Sequence, residues 1–440
     1  MTHLTVHEWG RVAVGSGGFD RHQADALLAA ARQHPNGGVE GTEILCDHHR
    51  FLRARQMVGV IAGRDCSLEI LPKVDPMGDE ENAESVRARL VHMLDMALGL
   101  DISTGETAAI AHRADSLLEI FIALFADRLL MQVRRGLPRL YRTHTDDLRA
   151  LRGRLDLVRQ FTTLAVRPER LACRFDALDS DVPLMQIMKA CVLMLVRHAR
   201  TAHTQRKLAE LRFLLADVSD VASGSLPWRQ VQIDRSSRHW QALLELARLM
   251  LGQRWQQTHA KAQAPKGITL LFPMNLLFEK YIAVQLRRAL AGTGLEVVAQ
   301  GGSAYCLGPW IEGGPVVGDS HPTKPDILVK KGDRVVAVLD TKWKNPTNGV
   351  SHADIYQMMA YARLYACPRV VLLYPAVSGE AASDVKTRGI APGGERLDIA
   401  TLSLNQRSTD IQGNLRRLFV TLPHPKQAPL TISDFEPTHA

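Results

Sequence analysis

The chain has 440 residues, 46% of them hydrophobic and 23% charged, with a formal charge of +8. That is too long for one typical domain, and it has enough apolar content to fill at least one sizeable core, so a chain too polar to fold is excluded. The basic excess favours a polyanionic partner without requiring one, because surplus arginine is common in proteins that never meet nucleic acid.

Residues 1–75 read as a β-rich domain. LTVHEWGRVAVGSGG gives a strand, a turn and a second strand, and Ala24 to Gln33 gives a short helix closed by Pro35, Gly37 and Gly38. QMVGVIAGRDCSLEILPKV predicts two strands about a Gly63–Asp65 turn, with Leu68 and Ile70 facing a core and Ser67, Glu69 and Leu71 alternating away from it. The first residues lack the basic-then-apolar order of a signal peptide, and charge interrupts every apolar run. Neither export nor a membrane span is therefore expected, and the expected compartment is the cytoplasm. Cys46, Cys66, Cys173, Cys191, Cys306 and Cys367 contain no close pair, against a disulfide framework or a four-cysteine zinc site. CDHH at 46–49 reads as a surface turn.

DPMGDEENAES, 75–85, reads as a linker, and 76–257 as a mainly helical region with helices over 85–99, 112–135, 183–200, 203–216 and 236–259. DDLRALRGRLDLVRQF, 146–161, carries Arg149, Arg152, Arg154 and Arg159 on a helix surface or loop. It could face phosphates, but a solvated or inter-domain face is the plainer reading. A third domain, 258–440, begins with a hinge at 258–267 and a helix from near Pro273. An α/β pattern follows: a strand near 294–299, a hairpin over 325–341, a helix over 352–365, and strands over 368–375 and 396–404. The segment 304–324 reads as a Gly/Pro-rich loop in which His321 and Lys324 could meet phosphate.

The chemistry gathers at the hairpin. ILV and VVAVL are β-prone, and KKGDR supplies the turn. Period-two alternation puts Asp340 and Lys342 on one face, and antiparallel pairing returns Asp326 beside them. Clustered carboxylates bind Mg²⁺, a hard cation that polarises a phosphate and acidifies a water. A lysine beside them can steady transition-state charge. In the preceding helix, Phe272, Leu276, Glu279, Ala283, Leu286 and Leu290 follow one helical face, apolar or small except at Glu279. A carboxylate there calls for a metal or an ion-pair partner. In the following helix Gln357 and Tyr361 are four apart and face one side, either to orient the lysine, a water or the DNA backbone, or as a surface pair; spacing does not separate these.

Asp326, followed fourteen residues later by Asp340–Thr341–Lys342, resembles the PD-(D/E)xK nuclease superfamily. Glu279 matches the acid often contributed by its first core helix, and Gln357 and Tyr361 match the QxxxY element of its RecB-like branch. EWGRVAVG, VGVIAGRDCSLEILPKV at 58–74, LRGRLDLVRQF at 151–161 and CRFDALDSDVPLMQIMKAC at 173–191 resemble the McrC family, the nuclease subunit of McrBC-type modification-dependent restriction systems. The resemblance implies a multidomain α+β and α/β chain ending in a mixed sheet flanked by helices. It implies metal on Asp326 and Asp340, with Glu279 assisting and the Thr341 carbonyl as a further ligand. The metal would be Mg²⁺, with Mn²⁺ as a substitute. Lys342 would act electrostatically, and Gln357 and Tyr361 would position it. The implied partners are an oligomeric McrB-like AAA+ GTPase, into whose ring the N-terminal part docks, and modified double-stranded DNA. The chain has no G-x-x-x-x-G-K-[ST] loop, so GTP would be bound by the partner. The competing expectation is a non-catalytic DNA-binding adaptor or activator of an NTPase ring.

Overall fold

The computed structural model describes residues 2–34, 42–63, 65–73, 82–100, 116–235, 237–251, 269–302, 304–310, 312, 317–346, 349–377, 383–391 and 393–420. They form two compact units, Met1–Phe278 and Glu279–Ala440.

The first unit opens with β1 (Thr2–His7), β2 (Arg11–Ala13), α1 (Arg21–Gln33), β3 (Leu45–Asp47), β4 (Phe51–Ala54), β5 (Met57–Gly63) and β6 (Cys66–Leu71). It continues through α2 (Ala83–Leu98), α3 (Leu117–Arg135), β7 (Leu140–Leu148), β8 (Arg154–Leu155), α4 (Leu157–Phe161) and β9 (Leu171–Asp179). It ends with α5 (Pro183–Leu195), α6 (Ala202–Leu214), α7 (Gln241–Met250) and β10 (Thr269–Pro273). Helix α1 starts at a capping box, the Asp20 side chain taking the Gln23 N–H while Gln23 returns to the Asp20 backbone. Phe19, Leu27, Leu45, Leu52, Ile61, Leu68 and Leu271 share a buried core cluster with it.

The main sheet of this unit has the order β1-β6-β5-β10, with β1 parallel to β6 and the other pairs antiparallel. This corrects the alternation expected for β6: all six of its residues are buried, because it lies inside the sheet and both faces are covered. Glu69 is fully buried there. Its carboxylate takes hydrogen bonds from Thr5 Oγ1 (2.8 Å), Arg87 Nε (2.9 Å) and the Leu117 N–H (2.8 Å), which makes the burial tolerable. β10 joins this sheet through β5, so Phe272 is a strand residue and not the start of the helical stripe expected for it. At the crossing point Gly59 has φ +129°, and a Cβ there would lie 1.8 Å from the Leu270 carbonyl oxygen; only glycine fits.

The middle region is helical but contains a second departure. β7, β9 and β8 form a three-stranded antiparallel sheet where a basic helix surface or loop is expected over 146–161. On β9, Cys173, Phe175 and Ala177 alternate with exposed Arg174 and Asp176, while β7 is exposed or half-buried along its whole length. Arg149, Arg152 and Arg154 are exposed, and Arg159 pairs with Asp147 at 2.8 Å. The helices expected over 112–135, 183–200, 203–216 and 236–259 appear as α3, α5, α6 and α7. Residues 112–115 and 252–259 lie outside the described residues, as do 75–81 of the linker and the hinge at 258–267.

Helix α8 (Met274–Ala289) starts in the first unit and continues into the second. The second unit adds β11 (Glu296–Ala299), β12 (Tyr305–Leu307), β13 (Ser320–Pro322), β14 (Ile327–Lys331) and β15 (Arg334–Thr341). It is completed by α9 (His352–Leu364), β16 (Arg369–Pro375), β17 (Ser383–Ile390), β18 (Glu395–Leu402) and α10 (Ser408–Val420). β12 and β13 pair as a small hairpin inside the segment expected to be a loop. The six-stranded sheet is mixed, in the order β11-β14-β15-β16-β18-β17, with β15, β16 and β18 parallel. α9 supplies the crossover between parallel β15 and β16, burying Met358, Tyr361 and Ala362 against Val338, Val370 and Leu372. Every residue of β16 is buried, as a central parallel strand requires.

Candidate active site

The sheet carries Asp326, Asp340 and Lys342 to one place. Gly332, at φ +61°, turns the β14–β15 hairpin, and Ile327 pairs with Leu339, so Asp326 comes opposite Asp340. Asp326 Oδ2 accepts hydrogen bonds from the Thr341 N–H (2.7 Å) and Thr341 Oγ1 (2.8 Å). On the other side β15 is held by β16, ending with the Lys342 N–H donating to the Leu373 carbonyl at 2.9 Å. Asp340 is 2% exposed and Lys342 Nζ lies 2.7 Å from its Oδ2. This is an ion contact only: no hydrogen bond of acceptable angle reaches that oxygen. The ammonium donates instead to Gln357 Oε1 at 3.1 Å, and Gln357 Nε2 donates to Tyr361 OH at 3.0 Å.

Glu279 projects from α8 and is 6% exposed. Burial, then the charge of Asp326, push its carboxyl up to about 7 from an ordinary 4.5, against a hydrogen bond from Gln300 and the pull of Lys280 and Lys324. Gln300, left-handed at φ +49°, also donates its N–H to the Asp326 carbonyl at 2.7 Å. Burial and Asp326 likewise push the Asp340 carboxyl well above the usual carboxylate range, with Lys342 opposing. Burial would lower the Lys342 ammonium, but Asp340, Asp354 and Asp326 outweigh it and hold it above the usual lysine value. Asp326 therefore acts on both other carboxylates, and the three share one electrostatic neighbourhood.

A stability consequence follows from Glu279. Below about pH 4.5 its carboxyl is protonated whether the chain is folded or not, so burial costs nothing. Above about 7 it is charged in both states and the cost of burial is complete. The cation-free protein is expected to lose stability as pH rises through this window, and Glu279→Gln to remove that part of the slope. Denaturant unfolding in chelator at about pH 5 and about pH 8 measures it; an unchanged slope in the variant refutes the assignment.

A family profile described as McrBC 5-methylcytosine restriction system component matches residues 52–375. The chain belongs to the McrBC family. A solved chain from the refined half-complex of the tetradecameric assembly of Thermococcus gammatolerans McrB AAA+ hexamers with bound McrC superposes with a TM-score of 0.74 at 23% identity, covering 94% of this chain and 99% of that one. A chain of the cryo-EM structure of the Thermococcus gammatolerans McrBC complex superposes with a TM-score of 0.53 at 25% identity, covering 66% of this chain and 88% of that one. No curated protein matches the chain.

Reading by spacing missed several residues that this McrBC-family chain brings to the site. Asp354, one turn before Gln357 on α9, lies 3.5 Å from Lys342 and 3.4 Å from Lys344. It could have been found as the residue three before Gln357 and seven before Tyr361 on the same helical face. Tyr374 on β16 is 2% exposed, and its hydroxyl has no hydrogen-bond partner. Gln300 carries no signal, because a left-handed non-glycine residue has no sequence signature. Among the described residues no group of three or more His, Cys, Asp or Glu side chains is arranged to hold a metal ion. No helix among them is long and apolar enough to cross a membrane.

Proposed function

We propose that this chain is the DNA-cutting subunit of a McrBC-type restriction system: a Mg²⁺-dependent endodeoxyribonuclease of the PD-(D/E)xK kind, acting with an AAA+ GTPase in the cytoplasm. The observation that carries the reading is Asp340, a buried carboxylate with one oxygen lacking a hydrogen bond, opposed by Asp326 and touched by Lys342. A buried carboxylate repelled by a half-buried one favours a divalent cation between them. Asp326, Asp340 and the Thr341 carbonyl form an oxygen-only donor set. Mg²⁺ suits it, because that ion keeps several waters and takes one or two carboxylates with substrate phosphate; a three-acid cage is not needed.

When bound, the cation polarises the scissile phosphate and acidifies the attacking water; Mn²⁺ substitutes for Mg²⁺. Thr341 fixes Asp326 by taking one of its oxygens, which leaves the other as donor. Glu279, easily protonated at neutral pH, assists at the edge of the site and can hold a proton there. Lys342 steadies charge on the attacking water and the phosphate, and Gln357, braced by Tyr361, aims it. Residues 1–75 are assigned to motor docking, the helical middle region to 76–257, and the nuclease domain to 258–440. GTP belongs to the partner, because the chain has no phosphate-binding loop.

Reconstitution with the cognate GTPase tests the reading. Cleavage of modified double-stranded DNA is expected to need the partner, GTP and Mg²⁺ together. Stimulation of GTP hydrolysis without any cutting, under all of these conditions, would favour a non-catalytic activator of the ring.

A further inference from the structure

Lys342 is placed between two carboxylates, and the reading above uses only one of them. Asp340 lies 2.7 Å from its ammonium and Asp354 3.5 Å. Asp340 is also the residue assigned to the cation. Once its oxygens turn to a doubly charged ion, the lysine loses its nearest counter-charge and gains a repelling neighbour about 4 Å or more away, where two like charges still interact strongly in a partly dry site. Something must then keep the side chain from being displaced.

Asp354 is built for that. It is 7% exposed, in the first turn of α9, where Ser351 Oγ accepts its N–H at 3.1 Å and fixes the start of the helix. Two ammonium groups flank its carboxylate: Oδ1 meets Lys342 and Oδ2 meets Lys344, whose side chain is 57% exposed. Tyr374, buried with an unpartnered hydroxyl, lies on the strand next to Lys342, and its phenol is raised by burial and then by Asp354 and Asp340. Asp354 and Tyr374 are both largely buried, so the Asp354–Lys342 contact is not an incidental surface ion pair. Asp354, Gln357 and Tyr361 then share one face of the helix: Asp354 and Gln357 meet the lysine, and Tyr361 braces Gln357.

We infer that Asp354 is a positioning residue, a second anchor that holds Lys342 at the Asp326–Asp340 pair when a cation takes Asp340. The inference rests on the nuclease reading and extends it by one residue. With Asp354 gone, Asp340 is the sole carboxylate within ion-pair distance of Lys342 among the described residues, and the lysine competes with the cation for it.

The test is Mn²⁺ binding to the full-length chain, followed by water-proton relaxation without DNA, alongside cleavage by the reconstituted complex. Asp354→Asn is expected to weaken Mn²⁺ binding about 10-fold and to lower kcat by about 10- to 100-fold with KM for DNA little changed, the usual scale for a residue acting through another. Asp354→Glu is expected to recover most of both. The decisive arm is the Lys342→Met background: there Asp354→Asn should leave Mn²⁺ affinity unchanged, because the competing ammonium is absent. An equal loss of Mn²⁺ affinity in both backgrounds, or no loss in either, overturns the inference. Thermal unfolding confirms that each variant is folded; should Asp354→Asn unfold, Asp354→Ser in the same two backgrounds carries the comparison. Failure of the nuclease reading itself looks different: Asp340→Ala would then bind Mn²⁺ as the unmodified chain does.

Discussion

Asp340→Ala is expected to lower Mg²⁺-dependent DNA cleavage by the reconstituted complex by about three orders of magnitude or more, the scale of losing several kcal/mol of charge stabilisation. Partner binding and stimulation of GTP hydrolysis are expected to remain. The separation follows from energetics local to the site. Asp340 is buried, its carboxyl is raised by burial and by Asp326, and one of its oxygens has no hydrogen bond. Such a group makes the cation-free fold less stable at neutral pH, so its removal does not weaken the sheet through lost charge pairing alone. Asp340→Asn, which keeps the shape, should lose cleavage to a similar degree and unfold no earlier. Cutting at the unmodified rate by either purified variant would remove Asp340 from the chemistry.

Asp398→Ala is expected to destabilise the second unit by about 3–5 kcal/mol, without any role in the chemistry. Asp398 is fully buried on β18 and takes hydrogen bonds from Arg369 Nε (2.6 Å), Arg396 Nε (2.8 Å) and Thr387 Oγ1 (2.7 Å). Arg369, 4% exposed on β16, also donates to the Leu418 carbonyl of α10. Removing the carboxylate strands a guanidinium where it can neither be hydrated nor lose its proton. Burial alone would raise the Asp398 carboxyl; Arg396, Thr387 and Arg369 outweigh it and hold it below the usual 3.8. This contribution is therefore present above 3.8 and lost as pH falls below it. Denaturant unfolding with a probe in α10 measures the effect. A change under about 1 kcal/mol would mean the cluster behaves like a surface pair. The double variant Arg369→Met, Asp398→Leu is expected to recover most of the loss.

How much could be read from the chain depends on which force shapes each segment. The β14–β15 hairpin was legible because β-prone runs flank a turn with glycine at its left-handed position. Helix α9 was legible over 352–365, and it runs from His352 to Leu364. The β7–β9–β8 sheet was less so: β9 alternates over Cys173–Ala177, but its partner β7 is polar over Arg142–Asp147 and exposed or half-buried throughout, so no apolar pattern marks the pair. Glu69 misled for the opposite reason. Its charge reads as solvent-facing, yet it meets its partners through β1, α2 and α3, which are distant in sequence. Phe272 fitted a helical stripe by spacing, but its backbone hydrogen bonds go to β5. At the candidate site the acids and the lysine lie near strand ends and could be placed by register. Gln300 and Tyr374 depend on a left-handed backbone and on depth of burial, which no local pattern encodes.

The Thr341 amide, donated to the Asp326 carboxylate and not to a neighbouring strand, has a further use. Most amides of a central strand report only whether the sheet is open. This one is hydrogen-bonded to a side chain assigned to the chemistry. Its exchange with solvent deuterium, followed residue by residue, becomes an internal gauge of occupancy. It should slow when a cation immobilises Asp326 and quicken when that side chain turns away, so the state of the site can be followed in a chain that is not cutting anything.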